Sequence, residues 1–348
     1  ANTTGTGNVA VGWSALDAAS TATDNTAVGY GTLGAATTGS HNTALGHGAL
    51  DANTTGESNT ALGKNALGAN TTGTANLAVG LGALYTNVDG DNSTAIGLDA
   101  LYTQEPASNV DMHNTAVGFN SMYALTTGIK NNAVGSYSLD AAVTGDFNNA
   151  FGYQALTANT SGVSNSAFGH NALVGNTTAS HNVAVGRDAM LSNTTGAANV
   201  AVGNYALDAS NANNLVAIGY NTLTANTSGA SQVAIGAYAM DANTSGAGNT
   251  AVGYAALGAN TTADSNVGIG SGALGANTTG TYNTAVGTEA ADASTTVSDI
   301  TAVGYMAASA NTAGNTTAFG SGALKANTTG ATNTAVGKDA MLVNTTGL

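Results

Sequence analysis

A pentapeptide close to Asn-Thr-Ala-Val-Gly returns about every seventeen residues along the whole chain, and this register constrains the fold more than any other feature. Taking its Gly as a ruler, the copies fall at Gly12, Gly29, Gly46, Gly63, Gly80 and Gly97, and then from Gly118 to Gly337. The 20 copies are separated by 19 spacings, of which sixteen are 17 residues, two are 16 and one is 21. A fixed period of this size marks a repeat architecture. Each unit is too small to bury an apolar face alone, so it stacks on its neighbours. The long spacing contains residues 104–112 and the only proline, Pro106. Because the next copy resumes the register, this insertion is expected to bulge as a loop from one coil.

Each position, numbered from the ruler Gly, obeys a chemical rule. Position −1 is always bulky and apolar (Val28, Leu45, Ile96, Phe151, Ile235, Phe319), and position −2 is Ala in every copy but one, where Gly268 replaces it. Position +3 is small (Ala49, Ser121, Thr222), and position +4 is Leu or Met in 18 copies, with Ala291 and Ala308 the exceptions. Asn-Thr-Thr-Gly or Asn-Thr-Ser-Gly follows in most copies. The β-branched, period-2 segment Asn-Thr-Ala-Val-Gly predicts a strand. The segment around +3 to +6 predicts a weaker second strand, since Ala and Leu lack strand propensity and four residues are too few for a helix. Gly and Asn-Thr-Thr-Gly turn the chain on either side.

The fold class expected is therefore all-β, a parallel β-solenoid or β-roll of about 20 coils, with residues 1–348 forming a single repeat domain. Coils about 4.8 Å apart would make a rod of roughly 95 Å. Val and Leu are expected to fill the interior, and the Ala face of the strand to approach a partner closely. The Asn residues at position −4 (Asn25, Asn42, Asn59, Asn76) fit two arrangements, an amide ladder from coil to coil or a cap on each coil's own turn. Both ends, Ala1 to Gly5 and Asn344 to Leu348, are plain repeat sequence. That leads us to expect a mature or trimmed product whose uncapped ends accept another coil, and a chain that associates with itself as a homotrimer or head-to-tail filament.

Composition narrows the function. With 5 Lys and Arg against 19 Asp and Glu, the formal net charge is −14, which disfavours nucleic acid and anionic membrane as partners. No apolar run approaches the ~18 residues of a membrane span. The absence of Cys excludes a disulfide framework and thiolate metal sites. The five His residues, His41, His47, His113, His170 and His181, make no metal-ligand spacing, so no metal or cofactor is expected. The acidic turn Asp89-Gly-Asp91-Asn92 lacks the ligand pattern of a calcium loop and is expected to be a solvated turn. Aspartates recur at +5 (Asp17, Asp51, Asp140, Asp208, Asp241, Asp292), but never on consecutive coils, which suits a solubilising stripe better than paired catalytic carboxylates. No catalytic residue is expected.

Two surface features stand out. Aromatic residues gather just after the ruler Gly, among them Trp13, Tyr30, Tyr153, Tyr220, Tyr254 and Tyr305. They fit a rim that packs over neighbouring coils or a subunit, or an edge that contacts sugars or partner proteins. On the opposite turn, Asn53, Asn70, Asn159, Asn226 and Asn277 form N-glycosylation acceptor triplets, which the turn chemistry of Asn and Gly also accounts for.

The segments Asn25 to Leu33 and Asn42 to Leu50 resemble repeats in phage tail-fibre-like proteins and large bacterial surface proteins. Such proteins often end in an intramolecular chaperone of the endosialidase type, cut off after assembly. The Ala-Val-Gly and Ala-Ile-Gly steps are also similar to the head domain of trimeric autotransporter adhesins, a trimer of left-handed parallel β-rolls with a shorter repeat than this one. The resemblance implies an extracellular, cell-surface or virion location and a structural or adhesive fibre, with contact to cell-surface glycans. Two alternatives of different class are a rod that binds ice or glycan and a polysaccharide-cleaving tailspike. Against ice binding, the Thr pairs are expected in a turn rather than as Thr-x-Thr on a strand.

Overall fold

A computed structural model describes residues 3–106, 108–141 and 143–347. Ala1, Asn2 and Leu348 of the expected open ends, and Ala107 of the insertion, lie outside the described residues. The chain divides into two compact units, Ala1–Ser180 and His181–Leu348. Each is a parallel β-solenoid built from one short strand per coil, and no helix occurs among the described residues. The first unit holds ten strands, from β1 (Val9–Val11) to β10 (Ser166–Phe168), and the second holds ten, from β11 (Val183–Val185) to β20 (Thr334–Val336).

Within each unit, consecutive strands pair in parallel and in register. Thr26, Ala27 and Val28 lie opposite Thr43, Ala44 and Leu45, and in the second unit Thr284, Ala285 and Val286 lie opposite Thr301, Ala302 and Val303. The insertion leaves this pairing intact, since Thr94, Ala95 and Ile96 pair with Thr115, Ala116 and Val117 across it. Its excursion is anchored at both ends: Gln104 and Pro106 are buried, and Asp91 bridges to Asp111.

The interior corrects the expected placement of Val. Ala27, Ala44 and Ala95 are fully buried, whereas Val11 is 57% exposed, Leu45 46% and Ile96 37%. The strand thus turns its Ala inward and both flanking residues outward, as alternation requires. The reason is space. At Gly268, the one copy without Ala, an added Cβ would lie 3.0 Å from the Ala273 carbonyl oxygen and 3.2 Å from Leu257 Cγ. A methyl is the most that fits between the sheet and the segment behind it.

That segment is not the expected second strand. Ala49 and Leu50 are consecutive and both buried, which a strand cannot achieve. Left-handed backbone makes it possible: Leu33, Leu50 and Leu84 all have φ of 51°, and Asn65 at +2 has φ of 58°. The Leu at +4 is the large apolar group of each coil, as the sequence led us to expect, and its burial contributes about 1.5–3 kcal/mol per coil. Backbone bonding between coils continues through these turns. Gly31 N–H donates to the Trp13 carbonyl at 3.0 Å, Leu33 N–H to Ala49 at 3.1 Å, and Ala35 N–H to Asp51 at 3.0 Å.

Asparagine fills much of the rest of the interior in two columns, at −4 and at +7. At −4, Asn25 Oδ1 accepts from the Asn42 backbone N–H at 2.8 Å, and Asn25 Nδ2 donates to the Gly39 carbonyl at 2.9 Å. Both partners belong to the next coil, so this column is a ladder. At +7, Asn70 Nδ2 donates to Asn53 Oδ1 of the preceding coil at 2.9 Å and to the Gly73 carbonyl of its own turn at 3.0 Å. The second column is ladder and cap at once. The same pattern recurs in the second unit, where Asn260 Nδ2 donates to Asn243 Oδ1 at 2.8 Å. These bonds satisfy polar groups whose burial would otherwise be costly.

Candidate functional site

A coil of this cross-section presents its surface as columns, one per outward position, each repeating with the stack. The strand supplies two of them. Position −3 carries Thr26, Thr43 and Thr60, with Leu77, Asn132, Asn149 and Val200 interrupting the hydroxyls elsewhere. Position −1 is the apolar column of Val, Leu, Ile and Phe. None of the twenty strands carries a charged residue. The Thr pairs of Asn-Thr-Thr-Gly lie in the turn, as expected, and the single Thr of each Thr-Ala-Val strand forms a separate column. The strand Thr column was legible only once Ala was known to be the inward residue, because alternation then sends its neighbours out.

The aromatic residues at +1 are exposed, Trp13 at 68% and Tyr254 at 60%. Many are engaged with each other from coil to coil. Trp13 stacks on Tyr30 with centroids 4.7 Å apart, and Tyr30 on His47 at 5.0 Å. Tyr153 stacks on His170 at 5.3 Å and meets Tyr137 edge-on at 6.0 Å. Tyr220 meets Tyr205 and Tyr238 edge-on, and Tyr254 meets Tyr238 at 5.9 Å. Stacking consumes ring faces, the part of an aromatic that a sugar packs on. Tyr305 differs: it is 55% exposed, and no aromatic ring among the described residues lies against it. A further stack, Tyr85 on Tyr102 on Tyr123 with both spacings 5.2 Å, runs along +5 and was missed. Its signal was the recurrence of Tyr at one phase in three successive coils.

The five acceptor asparagines, Asn53, Asn70, Asn159, Asn226 and Asn277, are fully buried in the +7 column. Each donates its amide to the carbonyl three residues ahead, as Asn159 does to Gly162 at 3.0 Å. The folded coil therefore does not present these nitrogens for glycan attachment. The Thr beside them is also engaged: Thr54 Oγ1 donates to the Thr71 carbonyl of the next coil at 3.1 Å.

Charged groups stay scattered. His41 Nε2 lies 3.8 Å from Asp24 Oδ2, both exposed. Asp91 Oδ1 accepts from Thr74 N–H at 2.6 Å and Thr74 Oγ1 at 3.0 Å, which ties the acidic turn to the preceding coil. Burial raises the carboxyls of Asp140, Asp208, Asp241 and Asp292 above the ordinary range. In Asp140 and Asp208 one carboxylate oxygen is buried without a hydrogen bond, the physical source of that penalty. Among the described residues no group of three or more His, Asp or Glu could hold a metal, no pocket opens, and no helix is long and apolar enough to cross a membrane.

No protein-family model matches the sequence, and no curated protein matches it.

Proposed function

We propose that the chain is a structural repeat protein serving as a segment of a fibre or extracellular filament, on a cell surface or virion. One observation carries this reading. The interior groups that could do chemistry are given over to joining one coil to the next, most plainly in the two Asn columns. Such a stack extends without changing its cross-section, so length is what the repeat builds. The resemblance to tail-fibre-like and surface-fibre repeats supports the same reading, and so does an acidic surface that resists nonspecific aggregation. Adhesive contact with cell-surface glycans belongs to this proposal, with Tyr305, which no other aromatic ring among the described residues stacks on, as one exposed ring for a sugar to pack against.

Immunogold labelling of the source material tests it. Label running along fibres or appendages is the expected result. Label confined to a non-fibrous fraction would remove the fibre role.

A further inference from the structure

We infer that the outward face of the strands is where one copy of the chain packs against the same face of another. This rests on the structural-repeat reading and gives it a partner. Three observations point there. First, one of the two columns of this face, position −1, is apolar and exposed. Leu45, Leu62, Ile96, Val134, Phe151 and Phe168 stand out from it, each at least 37% exposed. Contiguous apolar surface of this kind is rare on a chain that works alone.

Second, charge selects the partner. The chain carries 19 acidic against 5 basic residues, so two copies repel wherever their charged columns approach. The strands carry none of those charges, which makes their outward face one where two identical acidic chains can meet without like-charge juxtaposition. The missing charge also matches the composition of a buried interface core.

Third, the area reaches the lower end of what a specific interface needs, about 1,000 Å² counted over both partners. Ten strands of three residues, about 10 Å long and stacked about 4.8 Å apart, outline about 500 Å² per unit before side-chain relief is added. That is smaller than the ~800 Å² each partner buries in a standard interface and places this one at the small end of the range, before relief from the protruding side chains is counted. Ice is the competing occupant of a flat Thr-bearing face. The interrupted hydroxyls at −3 and the changing size at −1, from Val28 through Leu45 to Phe151, break the flat repeat that a lattice needs. They suit interdigitation with another protein surface instead. Phe151 and Phe168, stacked at 5.0 Å and 8°, form the bulkiest ridge of this face in the first unit.

The test compares the unaltered chain with Leu45→Lys/Leu62→Lys and with Thr55→Lys/Thr72→Lys, which adds the same charge on an exposed turn. Sedimentation is measured at micromolar concentration. The expected result is a multiple of 33.5 kDa for the unaltered chain and the turn variant, and 33.5 kDa for the strand variant. A strand variant that assembles like the unaltered chain overturns the inference. So does an unaltered chain that stays at 33.5 kDa, and thermal hysteresis in that sample would assign the face to ice. If the Lys pair loses its β-type circular dichroism, Leu45→Thr/Leu62→Thr decides, since Thr already stands outward at −3. Assembly at least about tenfold weaker supports the interface, and unchanged assembly overturns it. Fibre labelling in the source is independent of these outcomes. A monomeric chain can still lie within a fibre, and a self-associating one can lie outside it.

Discussion

Asn277 Oδ1 is buried and accepts no hydrogen bond, because the next coil places Ser294 where the amide column calls for Asn. Ser294 Oγ donates instead to the Asn311 carbonyl at 2.7 Å. Ser294→Asn should restore the donor and stabilise the second unit by about 1 kcal/mol, the usual net worth of a buried hydrogen bond. A urea midpoint that fails to rise would show that the site cannot seat the amide. Gly80 is the opposite case, a position with no room at all. Its φ is +134°, and an added Cβ would lie 2.3 Å from the Gly97 carbonyl oxygen of the next coil. Gly80→Val should cost about 2–4 kcal/mol, read as a lowered melting temperature. Leu84→Asp should cost at least as much, since it trades a fully buried Leu for a lone carboxylate. Normal melting of both would mean that the coil interior lies elsewhere.

At the scale of the element, the strand was legible and the segment behind it was not. Thr-Ala-Val announced itself by β-branching and alternation. The run through +4 contains no pattern that distinguishes a weak strand from left-handed turns, because Leu84 at φ 51° has no sequence signature. A left-handed Leu costs roughly 1–2 kcal/mol, and burial of its side chain offsets that. Positions at +2 are mostly half-buried and carry no large apolar side chain in most coils, so they have less such compensation. Glu289 holds φ 54° where other copies place Gly, as at Gly272 with φ 65°. Its charge also adds to the burial that raises Asp292. Glu289→Gly should therefore stabilise the fold by about 0.5–1 kcal/mol, the relief of strain exceeding the entropy cost of Gly. A lower urea midpoint would contradict this account of the turn.

Across the whole molecule, acidity and stability are linked in an unusual direction. Asp140, Asp208, Asp241 and Asp292 are raised by burial above the ordinary carboxylate range. The folded state thus binds their protons more tightly than the unfolded chain does. Stability should rise as pH falls from neutral toward about 4, and fall as pH climbs through the raised folded values. Relief of self-repulsion in a chain of net charge −14 acts the same way. Melting at pH 5 should exceed melting at pH 7. Asp140→Asn should raise the melting temperature at pH 7 and make little difference near pH 4. A chain that melts lower at pH 5 than at pH 7 would show that other groups dominate the linkage.

The sequence by itself determined the repeat, its length, the strand at Thr-Ala-Val and the parallel register, because period is a property of order along the chain. That this strand is the only one in each coil was decided by the structure. It also carried the buried Leu and the outward aromatic rim. It could not decide which face of the strand is inside. Ala and Val are both apolar, and hydrophobicity alone favours burying the larger. Only the tertiary structure supplies the distance between the sheet and the turn segment behind it. That distance admits a methyl and excludes a valine. The same distance leaves Val and Thr at the surface, while hydrogen bonds to its own turn and to the next coil hold Asn53 in the interior. An acceptor triplet written in the sequence thereby becomes a rung in the stack.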